Sequence, residues 1–148
     1  MRAGPFELEW DRLLSEAEAE VDRPVAPTPS SQEVGGGLIE ELAPVAAVAP
    51  GAAVMEAHTQ LERALRSLLE DVEGVSIEQI ERMGAVRLAR LARDRNVITP
   101  EAAEAVEGMS VLRNLAAHGR ADDLTTERAV DYLALADAVL YSIQHGQG

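Results

Sequence analysis

The sequence of 148 residues contains no cysteine, and this excludes disulfides, thiolate metal sites and cysteine nucleophiles. Aromatic residues are scarce as well, since they make up 3% of the chain. The core must therefore be built from Leu, Val, Ile, Met and many alanines. Because alanine has the highest helix propensity and lets helices approach closely, this composition favours an all-α bundle over a sheet.

The sequence also lacks a long apolar run. No stretch approaches the roughly 18 residues that a membrane-spanning helix needs, so we expect no membrane association. The first residues, Met1 to Pro5, contain nothing like the apolar core of a signal peptide. We therefore expect a cytoplasmic protein whose length suits one domain with one modest core.

Lysine is absent too, and all 13 basic side chains are arginines, against 26 acidic ones. The net charge of −13 argues against broad binding of nucleic acid, because such binding needs basic groups that neutralise phosphates. We expect no DNA partner. Residues 53–98 are nearly neutral, however, with seven arginines against eight acids, so the sequence leaves room for a local basic site.

The chain divides into three parts. Residues 23–49 predict a flexible linker rich in proline and glycine, in which Pro44 stops a short helical turn. Residues 50–148 predict a bundle of four or five helices. Residues 1–22 predict an extra amphipathic helix, whose apolar stripe has three- and four-residue spacing: Phe6, Trp10, Leu13, Ala17 and Val21. An isolated helix of this length is marginal in water, so we expect the stripe to pack on the core of its own domain or, alternatively, on a second subunit or another protein.

Three helices of the bundle have clear signals. Apolar spacing predicts the first over Ala52 to Val72. Thr99-Pro100-Glu101 predicts the start of a second helix that runs to about Ala117, because it combines a cap, a first-turn proline and an acid at the positive end of the helix dipole. Thr125 or Thr126 opens the last helix. No stretch alternates with a period of two, so we expect no strands.

The histidines offer few candidate sites. His145 lies three residues from the end and receives no role. His58 is expected to be a surface or boundary histidine, paired with Glu62 one turn further along its helix. No two histidines have the spacing of metal ligands, and no glycine-rich phosphate loop is present. We therefore expect neither a metal nor a cofactor.

One segment concentrates polar chemistry at the end of a helix. Arg113, Asn114 and His118 place a permanent cation, an amide and an imidazole within six residues. On a continuous helix, Arg113 and His118 would lie about 140° apart. They converge only if the helix ends near Ala117 and the chain turns at Gly119, which a glycine allows.

This Arg-x4-His pattern, with a polar residue after the arginine, resembles the signature of HEPN domains. The resemblance covers roughly residues 50–145, including the acidic turn at 121–123 and the last capped helix. HEPN domains are helical bundles that usually dimerise. Many are metal-independent endoribonucleases, often toxins or antiviral effectors.

The resemblance implies a homodimer that acts on RNA, with one role for each residue of the motif. His118 would be the general acid and base when the RNA 2′-hydroxyl attacks the adjacent phosphate. Arg113 would stabilise the charge on that phosphate, as a planar and always ionised donor can. Asn114 would orient the site by hydrogen bonding.

Two other interpretations stay open. Many HEPN-like domains are non-catalytic dimerisation or partner-binding modules, in which the same residues hold the fold. The last fifty residues favour this interpretation, because their eight acids and three arginines would repel RNA. A third interpretation assigns residues 1–48 to a protein partner, bound through the amphipathic helix, and it predicts that Phe6, Trp10 and Leu14 are exposed.

Overall fold

The computed structural model describes residues 5–20, 37–118 and 124–145. These residues confirm the all-α fold, since they form seven helices and no strand. The helices in chain order are α1 (Pro5–Glu20), α2 (Gly37–Val48), α3 (Pro50–Glu70), α4 (Ile77–Glu81), α5 (Ala85–Asp94), α6 (Pro100–His118) and α7 (Thr126–His145).

The two long C-terminal helices begin where their caps predict. The Thr99 hydroxyl accepts a hydrogen bond from the Ala102 amide at 3.0 Å and opens α6. The Thr125 hydroxyl accepts one from the Arg128 amide at 3.1 Å and opens α7. Each threonine satisfies an amide that would otherwise lack a partner at the helix start, which explains why these boundaries could be predicted.

Helix α2 corrects the predicted linker over residues 23–49, because residues 37–48 are helical and belong to the core. Leu38, Leu42 and Ala46 are all buried. Pro44 does not stop this helix. Its ring and the residue one turn before it, Glu40, are both exposed, so water can solvate the carbonyl that the missing proline N–H leaves unpaired.

The start of α2 is held by a side chain from the far end of the sequence. The carboxylate of Asp137 on α7 accepts hydrogen bonds from the amides of Leu38 at 2.8 Å and Ile39 at 3.3 Å. Gly37 precedes them with φ of +55°, and a Cβ there would lie 2.8 Å from the Asp137 carboxylate. The cap therefore requires glycine at position 37, for both backbone conformation and space.

Helix α1 packs along α6 of its own chain, and it also meets the start of α7. Trp10 and Leu14 are buried in this contact. Ala17 meets Gly108 so closely that a Cβ on the glycine would lie 3.2 Å from the alanine Cβ. Within the described residues, the apolar stripe of α1 therefore packs on its own chain, as one of the two predictions for it states. The burial of Trp10 and Leu14 contradicts the exposure that the partner interpretation predicts.

The core lies between α3, α6 and α7, with α2 packed on α3 and α7, and with α5 packed on α3 and α6. Residues 95–99 connect α5 to α6 in a tight turn, in which Asn96 adopts φ of +63° and the Val97 amide bonds the Ala92 carbonyl at 2.9 Å. This connection sends the two helices in opposite directions. The motif lies at the C-terminal end of α6, away from this turn.

Candidate functional site

All three predicted site residues lie in the last two turns of α6. Arg113 is half-buried, whereas Asn114 and His118 are exposed. The Arg113 guanidinium donates from Nη1 to the Asn114 Oδ1 at 3.0 Å. The structure therefore brings two of the three residues into contact, and the amide limits the orientations of the guanidinium.

His118 is not brought to Arg113 by a turn of the chain within the described residues. Helix α6 continues through His118 instead of ending at Ala117. On this continuous helix the two residues point about 140° apart, with Cα atoms about 9 Å from each other. The predicted turn at Gly119 lies outside the described residues.

The Arg113 side chain carries a charge that no neighbouring carboxylate compensates. Among the described residues, its guanidinium has no Asp or Glu oxygen within 4.0 Å. Of the nine other described arginines, four have such a partner, among them Arg90 with Glu107 at 3.0 Å and Arg128 with Asp11 at 3.0 Å, and five do not. Arg113 differs from Arg90 and Arg128 because its guanidinium bonds the neutral amide of Asn114 and not a carboxylate.

Sequence reasoning missed the polar pair that lies beside Arg113. His58 is 7% exposed, not a surface residue, and its Nε2 lies 3.0 Å from the Ser110 hydroxyl, which links α3 to α6. Its spacing from Val54 and Leu61, four and three residues away on the buried stripe of α3, was the signal that could have found it.

Burial lowers the pKa of His58, the nearby Glu62 carboxylate raises it, and the positive charge of Arg113 lowers it. The first of these effects is the largest, so the ring is neutral at physiological pH. The predicted pairing of His58 with Glu62 is present as an electrostatic effect of the carboxylate on the pKa of His58. The hydrogen bond, however, goes to Ser110.

On its other side, Arg113 acts on Tyr132 of α7. This tyrosine is fully buried, and its hydroxyl donates to the Met109 carbonyl at 3.2 Å. Burial raises the pKa of Tyr132, and the Arg113 charge partly opposes that rise. Arg113 thus acts on one group of α3 and one of α7, His58 and Tyr132, and has no carboxylate oxygen within 4.0 Å among the described residues.

The described residues contain no group of three or more histidines and acids that could hold a metal ion. Within the same part of the chain, no helix is long and apolar enough to cross a membrane. Comparison of the chain with protein-family models, with curated proteins and with solved structures gave no match. The candidate site therefore depends on its own geometry and on the resemblance of its motif.

Proposed function

We propose that this chain is an HEPN-like domain that acts as a homodimeric, metal-independent endoribonuclease, with Arg113, Asn114 and His118 as its site. The observation that carries the proposal is the Arg113 side chain, which has no carboxylate oxygen within 4.0 Å among the described residues and bonds the neutral amide of Asn114, one turn before the exposed His118. An arginine kept clear of carboxylates is available for an anion from outside, and its planar donor fork suits a phosphate.

Each residue has a role that its environment supports. Arg113 binds the phosphate and stabilises the charge that develops on it, and Asn114 holds the guanidinium through their 3.0 Å hydrogen bond. His118 is exposed at the helix end, so its ring is free to exchange protons with a substrate. In the reaction, the 2′-oxygen loses its proton and bonds phosphorus, the bond to the 5′-oxygen breaks, and that oxygen takes up a proton.

A second copy is part of the proposal because one α6 cannot present both residues to one phosphate. Arg113 and His118 point about 140° apart on the same helix. Two α6 ends that meet across a two-fold axis would place the arginine of one copy beside the histidine of the other. Activity should therefore rise more steeply than linearly with protein concentration as the dimer forms.

The test is incubation of purified protein with mixed-sequence RNA in EDTA, beside the variants Arg113→Ala and His118→Ala. We expect the wild type to cleave, and both variants to lose at least about 100-fold in rate, the lower end of what proton transfer by one side chain contributes. Arg12→Ala is the matched control, because Arg12 is an exposed arginine of α1 that pairs with Glu9 and Glu16. Circular dichroism melts check that Arg113→Ala still folds.

If all proteins leave RNA intact at concentrations where sedimentation shows a dimer, the proposal of catalysis is wrong. Cleavage that persists unchanged in both variants would indicate a contaminating nuclease. The observed cleavage would then give the proposal of catalysis no support.

A second candidate, a non-catalytic dimerisation or partner-binding module, is favoured by one observation. The hydrogen bond of the Arg113 side chain stays within its own helix, and α6 remains helical through His118. In such a module the arginine would serve the fold. It predicts that Arg113→Ala lowers stability, that His118→Ala has no effect, and that neither variant differs from wild type with RNA.

A further inference from the structure

Helix α5 and its flanks form the basic part of this acidic chain. Residues 82–95 contain five arginines and one acid, whereas the whole chain carries a net charge of −13. The buried face of α5 consists of Ala85, Leu88, Ala89 and Ala92. Arg82, Arg87 and Arg90 are exposed. The arginines therefore form a positive surface and do not support the core.

Two of these arginines keep their charge available. Among the described residues, neither Arg82 nor Arg87 has a carboxylate oxygen within 4.0 Å. Arg93 has only its neighbour Asp94, at 3.4 Å. Arg90 is different, because its guanidinium makes a two-bond contact with Glu107 of α6, at 3.0 and 3.5 Å.

The contact of Arg90 with Glu107 also fixes the register between α5 and α6. Because the two helices run in opposite directions, Arg87, one turn earlier on α5, lies level with Val111, one turn later on α6. The start of α5 lies against α3 at Glu62, whose carboxylate is 3.9 Å from where a Cβ on Gly84 would be. Arg87 thus lies towards the motif end of α6.

The face of α6 that meets α5 continues to the motif. At 100° per residue, Glu107, Val111, Asn114 and His118 fall within about 60° of one another. From Val111 onwards this stripe is open, since Val111 is 47% exposed and Asn114 and His118 are exposed as well. His118 lies about 10 Å along the axis from Val111. The basic surface of α5 and two of the three motif residues therefore share one side of the molecule.

We propose that Arg87 and Arg90 of α5, together with the Val111, Asn114 and His118 stripe of α6, form a track that binds the phosphate backbone of single-stranded RNA and leads it to His118. This inference rests on the proposed function, because it names the surface by which the substrate would reach the site. Glu107 limits the track by neutralising Arg90 when no RNA is bound.

RNA is the occupant that these observations favour over an acidic protein segment. Arginine forks bind phosphate oxygens through two parallel hydrogen bonds without reading sequence, and the track ends on an exposed imidazole and an amide. The rest of the chain is acidic and repels RNA. Electrostatics therefore favours an approach of RNA from the α5 side.

The test measures binding by fluorescence anisotropy, with labelled 2′-O-methyl RNA that cannot be cleaved, over a salt series in EDTA. The variants are Arg87→Ala, Arg90→Ala and the double variant, with Arg12→Ala as the control for loss of one exposed arginine. Each lost phosphate contact should lower the salt slope by about 0.7. Between 50 and 200 mM salt, the wild type should therefore lose about seven times more affinity than the double variant.

Glu107→Gln tests the same surface in the opposite direction. It removes the carboxylate that competes with phosphate for Arg90, so RNA should bind more tightly than to the wild type, while the salt slope stays the same because the number of phosphate contacts does not change. Weaker or unchanged binding by this variant contradicts the role given to Glu107 and Arg90.

Binding to uncleavable RNA separates this inference from the proposed activity. If the double variant binds less well and no protein cleaves RNA, the track exists and catalysis does not. If the wild type cleaves RNA and the double variant binds as well as the control, the track is wrong and the activity stands. If the wild type does not bind RNA, the inference is wrong. If the wild type binds a polyglutamate peptide through Arg87 but does not bind RNA, the surface serves an acidic protein segment, and the inference is equally wrong.

Discussion

The contact between Gly108 and Ala17 determines whether α1 is part of the bundle, and a larger residue at position 108 should break it. A Cβ on Gly108 would lie 3.2 Å from the Ala17 Cβ and 3.9 Å from the Ala17 Cα. The Ala17 backbone thus lies directly behind its Cβ, and α1 must move away to admit a longer side chain. Gly108→Leu is expected to separate α1 from α6.

The magnitude follows from what α1 buries. Trp10 is 0% exposed and Leu14 is 7% exposed, and burial of such side chains contributes about 1.5 to 3 kcal/mol each. Separation of α1 should therefore lower the free energy of unfolding by about 3 to 6 kcal/mol. Gly108→Ala is a milder change, because a gain of about 1 kcal/mol in helix propensity opposes an overpacking cost of about 1 to 3 kcal/mol.

Trp10 reports the separation directly, since it is the single tryptophan of the chain. In the wild type its ring lies 5.9 Å from Phe6 and 6.0 Å from Tyr132, between ring centroids, and is shielded from water. Gly108→Leu should shift its emission to longer wavelength under native conditions, and urea melts should give the loss of stability.

Gly51→Leu is the matched control, because a Cβ on this helical glycine meets nothing within 4 Å. It should leave the emission unchanged and alter stability by at most about 1 kcal/mol. If Gly108→Leu behaves like Gly51→Leu in both measurements, α1 is not packed on α6, and its apolar stripe is again available for a partner.

Four further predictions concern stability. Asp137→Ala should lower the free energy of unfolding by about 1 to 2 kcal/mol, since it removes the acceptor at the start of α2. Asp137→Asn should lower it less, because the asparagine side chain keeps an acceptor. Equal losses in the two variants would contradict the cap. Burial raises the pKa of Asp137, so the folded state favours its protonated form. The wild type should therefore gain stability relative to Asp137→Asn as pH falls from 7 towards the unfolded value of 3.8, and a gap independent of pH would refute this. Burial lowers the pKa of His58, so below its unfolded value of 6.5 the unfolded chain binds a proton that the folded state does not bind. The wild type should therefore lose more stability between about pH 7.5 and 5.5 than His58→Gln. Identical losses in urea melts would contradict a buried ring. Thr99→Ala should cost about 1 kcal/mol in thermal melts by removing the cap of α6, whereas no change would mean that this cap contributes nothing.

The parts of the fold that could be predicted are those whose signals are local. The caps at Thr99 and Thr125 act on amides three residues away, so the starts of α6 and α7 could be read from the sequence. The start of α2 could not, because its cap, Asp137, lies 99 residues from the amide it accepts. Pro44 suggested a stop, but α2 continues through it, and the Glu40 carbonyl that lacks an N–H partner lies on an exposed face where water can solvate it.

The candidate site shows the same division. The types and spacing of Arg113, Asn114 and His118 are properties of the sequence, and they could be recognised there. Their relation in space depends on where α6 ends, and a helix end shifts easily by one or two residues. The position of His58 depends on which face of α3 meets α6, and this is set by the whole core. Tertiary packing, not local preference, placed it beside Arg113.

The net negative charge of the chain bears differently on RNA binding once the position of each charge is known. On sequence alone, a net charge of −13 counted against RNA as a substrate. In the structure, the arginines of α5 lie on the side of α6 that leads to His118, while Arg113 is free of carboxylates among the described residues. A negative field over the rest of the surface then acts against binding elsewhere, because RNA that touches any other face meets like charge. Such a protein would bind RNA weakly overall but in one orientation. For the proposed cleavage site at the end of α6, this orientation matters more than the affinity.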